Sequence, residues 1–161
     1  MRNKALAGAL AGLSAGFIFG IMMQVMTAPT PEGTKVPMMA MVAQVVGSSS
    51  LLVGWLYHLF NSAVIGAIFG WLFGARAADR MGNATALGVG YGILWWVLGG
   101  LILMPLALGM PAFAPLRMPP MVPVAMGSLM GHILYGVVLG AGFVWLRGTA
   151  GRPQVHAQRH A

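Results

Sequence analysis

Four long apolar blocks constrain this chain more than any other feature. They run from Ala5 to about Thr27, from about Ser50 to Phe73, from Thr85 to about Leu108 and from about Val124 to Leu146. None contains Asp, Glu, Lys or Arg. Each exceeds the roughly 20 residues that cross a hydrocarbon core of about 30 Å at a helical rise of about 1.5 Å per residue. A helix satisfies every backbone donor and acceptor internally, as a spanning segment must. With only 7% charged residues against 58% hydrophobic ones, a soluble fold of this size could not cover its surface. The sequence therefore predicts an all-α polytopic membrane protein. Its membrane domain covers residues 1–146 and carries a polar cytoplasmic tail over 147–161.

The first block is too long for the apolar core of a signal peptide. The following VMTAPTP places Met26 where a cleavage site wants a small residue, so an uncleaved first helix is expected. Seven basic residues then fall on one side of the membrane: Arg2, Lys4, Arg76, Arg80, Arg147, Arg152 and Arg159. Lys35 and Arg117 fall on the other. The positive-inside rule puts both termini in the cytoplasm of a bacterial inner membrane, with Trp71 and Trp145 in the inner aromatic belt. The net charge of +7 is thus topological. It forms no clustered basic face for nucleic acid.

The two outer connections, TAPTPEGTKVPMMAM and GMPAFAPLRMPPMVPVAM, are rich in Pro and Met and read as ordered turns or lids. MMAMVAQVVG within the first reads as a short helix lying in the interface.

Blocks two and four resemble each other. Aligning His58 with His132 makes seven of fifteen positions identical over 58–72 and 132–146, including both the His and a Trp thirteen residues later. Gly12 and Gly16 align with Gly88 and Gly92. The pattern predicts two tandem hairpins, about 5–74 and about 85–146, related by an axis along the membrane normal. The histidines then lie at equal depth, about 12 Å into the core.

Residues four apart share a helix face. Below His58 come Ser62, Gly66 and Gly70; below His132 come Gly136 and Gly140; the first block carries Gly8, Gly12, Gly16 and Gly20. Small residues let helix backbones approach, so these stripes are expected to pack helices and to turn the histidines inward.

Three roles suit His58 and His132. Neutral imidazoles can bond neighbouring helices, with Tyr57, Asn61, Ser62, Gln24 and Tyr135 as further polar partners. A facing pair can ligate b-type haem or another metal. Thioethers at Met38, Met39 and Met41 in one outer connection, and at Met118, Met121 and Met126 at the other, could lead copper(I) to the pair. A proton or small-solute path is a fourth possibility, although no acidic or basic residue lies within the blocks.

Catalysis is not indicated. Glu32 and Asp79 are the only acids, on opposite sides of the membrane, and no HExxH, GxSxG or P-loop occurs. The absence of cysteine excludes disulfides and thiolate sites. The expected role is that of a structural or accessory subunit, or a self-associating protein, whose partners are the lipid bilayer and other membrane subunits or itself.

Gly131-His132-Ile133-Leu134-Tyr135-Gly136, followed by Gly140 and echoed in block two, resembles a pattern in small four-helix bacterial inner-membrane proteins of a YagU-like kind. The resemblance implies an inner-membrane protein without assigned chemistry. It also carries an association with acid tolerance, for which two buried histidines would be titratable groups.

Overall fold

The computed structural model describes residues 3–30, 33–77 and 80–149. Arg2, Glu32, Asp79, Arg152, Arg159 and most of the polar tail lie outside the described residues.

Four helices are long and apolar enough to cross a membrane: Lys4–Val25, Leu51–Phe73, Met81–Ala107 and Pro119–Gly148. The first is α1 (Lys4–Val25), capped by the Asn3 side chain, which accepts from the backbone N–H groups of Ala5 and Leu6. The second is α3 (Leu51–Phe73). The third is compound: α4 (Met81–Trp95), a π-helical stretch over Trp96–Leu103, and α5 (Met104–Ala107). A short α6 (Ala114–Arg117) and a 3-10 turn (Pro119–Met121) lead into α7 (Val122–Thr149), which completes the fourth span. All four spans present large exposed apolar side chains, among them Phe17, Phe60, Leu94 and Met130. Water would not tolerate such a surface, and lipid would.

One feature departs from an all-helical layout. Thr27–Pro29 (β1) and Lys35–Pro37 (β2) pair antiparallel as a small ribbon, with Thr27 opposite Pro37. Both prolines sit at ribbon ends, where a missing donor costs no ladder bond. The Met-rich segment forms the expected short helix, α2 (Met38–Val45), which packs against α3 and α1. Met38, Met39, Val42 and Ala43 are buried, and Gly54 of α3 lets the Met39 carbonyl come close.

Glycine sets how the spans meet. A Cβ on Gly8 would strike the Gly66 carbonyl, and one on Gly66 would strike that of Gly8. Gly12 meets the Ser62 carbonyl, and Gly70 meets that of Lys4. The second pair repeats this register: Gly88 meets the carbonyl of Gly136, Gly140 that of Ala84, and Gly92 that of His132. Gly16 differs in facing the Ser62 hydroxyl, and Gly20 in seating the Trp55 indole. Backbones this close gain dispersion and weak C–H···O contacts, which hold helices together where lipid is as apolar as leucine.

The pairs join through α1 against α7, whereas α3 and α4 barely touch. Small side chains again permit the approach, since Ala7, Ala11 and Ala15 are buried and Gly142 lies against Ala11. Aromatic and polar side chains bridge the wider gap. The fully buried Phe69 contacts Phe143 of α7 and Tyr91 of α4, at ring-centroid distances of 5.8 and 5.4 Å. Tyr91 Oη donates to the Ile65 carbonyl at 2.9 Å, and Tyr135 Oη to that of Ser62 at 2.8 Å. Arg147 donates to the Gly74 carbonyl at 2.9 Å, placing a positive charge at the carboxyl end of α3. Tyr135→Phe removes one interhelical bond at constant shape. It is expected to lower stability by about 1 kcal/mol, read as a shift in the unfolding midpoint in detergent.

The π-helix has an identifiable cause. Pro105 has no N–H for the Leu101 carbonyl, and its ring would collide with that carbonyl in a regular helix. The backbone widens instead, and the Met104 N–H bonds the Gly99 carbonyl five residues back. The released Leu101 carbonyl accepts from Phe113 N at 2.7 Å. Phe113 reaches it from a left-handed conformation at φ 63°, a region that seldom holds a bulky residue unless the surroundings compel it.

Candidate functional site

Where α3 and the π-helical stretch diverge, they leave a cavity of about 540 Å³, lined by parts of all four spans. That volume is in the usual range of small-molecule sites, about 300–1,000 Å³. Met38, Val42 and Val45 of α2 close it at the end where the long connections lie. Ser62 and Tyr135, bonded to each other, lie at its deeper end. Val64 of α3 and Leu103 of the third span line it too and are 41% and 57% exposed. The cavity therefore reaches the apolar flank of the bundle between these two spans.

Both histidines line this cavity, but they turn to different neighbours. His58 Nε2 lies 2.9 Å from the Gly16 carbonyl across on α1. His132 Nδ1 lies 2.7 Å from the Ser128 carbonyl on its own helix and 3.4 Å from the Ser128 hydroxyl. A carbonyl can only accept, so each of these nitrogens carries the proton. His58 is then the Nε2–H tautomer and His132 the Nδ1–H tautomer. The other nitrogen of each ring keeps a lone pair that meets no hydrogen-bond donor among the described residues. The Phe19 ring stands edge-on to both imidazoles, with centroids 5.5 Å from His58 and 4.9 Å from His132.

Other polar groups share the cavity wall. The Trp95 indole N–H is buried and makes no hydrogen bond of good geometry, and it interacts with the Tyr91 side chain against which its ring packs. Tyr57 and Asn61 line the cavity, and neither side chain is hydrogen-bonded among the described residues. Ser62 instead bonds back to the His58 carbonyl at 2.8 Å, and Gln24 accepts from the Trp55 indole at 3.1 Å, away from the cavity. The remaining wall is apolar apart from the backbone of Gly99 and Gly100, where the absence of side chains keeps the space open. The arrangement suits a mostly apolar molecule carrying a group able to donate to an imidazole.

The geometry does not supply the symmetric ligand pair that two equivalent histidines would give. His58 Nε2 is tied to a carbonyl, while the free nitrogen of His132 is Nε2. No group of three or more His, Asp or Glu stands together among the described residues. The named methionines divide. Met38, Met41 and Met121 surround a second, smaller void of about 30 Å³, whereas Met118 is 46% exposed and lines neither space. Met126 is exposed as well, and Met39 is fully buried against the bundle.

Sequence reasoning located the two histidines and the glycine faces but missed Trp95, Gly99 and Gly100. The available signal was the Gly-Gly pair five residues before Pro105, inside an otherwise regular apolar run. Comparison of the chain with protein-family models, with curated proteins and with solved structures finds no match in any of the three.

Proposed function

We propose that the chain is a non-enzymatic, multi-pass protein of the bacterial inner membrane that holds a lipid-soluble molecule in its bundle and acts as a binding or accessory subunit. One observation carries the reading: a cavity of about 540 Å³ opens on the lipid-facing flank between α3 and the third span. A ligand partitioned into the bilayer reaches such a site laterally, with its apolar body against Ile65 and Leu103 and its polar group toward His132. Both termini belong on the cytoplasmic side. Lys4, Arg76, Arg80 and Arg147 cluster toward that end, and the exposed Trp71 and Trp145 lie near it. The matching glycine registers of the two helix pairs support an origin as tandem hairpins. Because those glycines meet partners within the chain, an accessory role would engage neighbouring subunits through the lipid-facing side chains.

The test is to purify the full chain in mild detergent and identify co-purifying organic molecules by native mass spectrometry and extraction. One molecule per chain, enriched over the bulk membrane extract, is expected. Gly100→Leu fills the space beside Ser128 and His132 and should lower its recovery at least about tenfold, equivalent to about 1.4 kcal/mol of binding. An extract that matches bulk lipid and is unchanged by Gly100→Leu would overturn the reading.

A further inference from the structure

The smaller void, about 30 Å³, lies next to the large cavity and shares Met38, Gly100, Met104 and Ser128 with it. Five methionines line it: Met38 and Met41 from α2, Met104 from the third span, Met110 from the connection, and Met121 from the turn before α7. They arrive from four separate segments. Five of fourteen lining residues are methionine, against fourteen of 161 in the whole chain, so composition alone predicts about one. Met38 and Met41 stand three apart on α2 and share a face.

Packing does not explain this ring. Methionine is the side chain best able to bend into and close a gap, and interiors rarely leave space that flexible neighbours can fill. Here five such side chains line a partly open space of about 30 Å³ and do not fill it. The rest of the wall is nearly all apolar, including Leu101, Leu108 and Val124, and the Ser128 hydroxyl is the only hydrogen-bonding side-chain oxygen on it among the described residues. No carboxylate or imidazole among the described residues lines it. Hard cations such as calcium or magnesium need several oxygen ligands, and zinc is ordinarily bound by thiolate, imidazole or carboxylate. Neutral thioethers select soft, monovalent copper(I), and a single charge carries the smallest desolvation cost.

We propose that Met38, Met41, Met104, Met110 and Met121 form a thioether site for a soft monovalent cation, copper(I) and its analogue silver(I). The site is distinct from the ligand cavity and does not depend on the cavity being occupied. Binding involves no redox step, because the metal arrives and stays as the monovalent ion. Met38 and Met104 stand on the wall between the two spaces, so an ion held here lies beside the chamber that contains the free Nε2 of His132.

The experiment is an anaerobic titration of the purified full-length protein with copper(I) against a chromophoric copper(I) chelator, with silver(I) as a redox-inert check. X-ray absorption then reports the ligand atoms. The expected result is one ion per chain with sulfur-only coordination. The double substitution Met38→Leu/Met121→Leu should weaken retention at least about tenfold. Leucine conserves volume and apolarity at these positions, so the variant should keep the unfolding midpoint of the parent within a few degrees. Met130→Leu, at a 65% exposed position, and His132→Gln should bind as the parent does. No retention above a detergent blank would overturn the proposal. So would retention indifferent to the double substitution, or nitrogen coordination abolished by His132→Gln, which would place the ion in the large cavity.

Discussion

Gly66→Leu is expected to separate α1 from α3 and prevent the bundle from forming. A Cβ at Gly66 lands on the Gly8 carbonyl and 2.8 Å from the Gly12 Cα, and backbone on both sides leaves nothing able to give way. A clash with a flexible side chain costs about 1–3 kcal/mol. Here the whole interface must open, giving up contacts from Lys4 to Ser62, so a loss above about 4 kcal/mol is expected. The measurement is the folded fraction after extraction, by size-exclusion profile and resistance to denaturing detergent. Gly90→Leu is the control, because a Cβ there meets nothing within 4 Å, and it should behave as the parent. If both variants fold equally well, glycine contact does not determine how these helices meet.

Phe69→Ala should have the next largest effect. The ring is fully buried and contacts Phe73, Tyr91 and Phe143, with centroids 5.4–5.8 Å away. In a water-soluble core such a truncation costs about 3–5 kcal/mol, part of it the transfer of apolar surface. In a bilayer the unfolded side chain stays among apolar neighbours, so mainly the packing share remains, about 2 kcal/mol. Phe69 bridges three spans where backbone contact is sparse, so the loss should show as a lower unfolding midpoint with the α1–α3 pairing intact. The size-exclusion profile and resistance to denaturing detergent would report whether that pairing survives. A loss as large as that of Gly66→Leu would mean that the aromatic bridge, and not the glycine seam, dominates stability.

Hydropathy located the four spans to within a few residues, because a run of more than twenty apolar residues has few other solutions. The third and fourth spans start earlier than the apolar blocks suggested. Met81–Ala84 and Pro119–Val122 carry polar or proline residues that lower local hydropathy without preventing a helical turn. The glycine faces were readable as well, since i, i+4 spacing translates directly into one side of a helix. The neighbour met by each histidine was not readable. Aligned sequence places His58 and His132 alike, yet one donates across to Gly16 and the other back to Ser128. The difference follows from unequal packing: α1 lies against both α3 and α7, whereas the third span stands away from α3. The cavity is a property of that gap, and no residue pattern encodes a gap. The β1–β2 ribbon escaped notice for a related reason, because prolines at both ends of so short a segment read only as turn.

The bond from Phe113 N to the Leu101 carbonyl has a mechanical consequence. It anchors the second long connection to the wall of the cavity itself, one residue beyond Gly100. Pulling that connection away strands a carbonyl in apolar surroundings, where no water replaces the lost donor. Pro105 prevents the backbone from recovering the bond as a regular helix. Connection and chamber are therefore tied through one hydrogen bond beside a proline, so displacing the connection carries a cost at the interior of the third span.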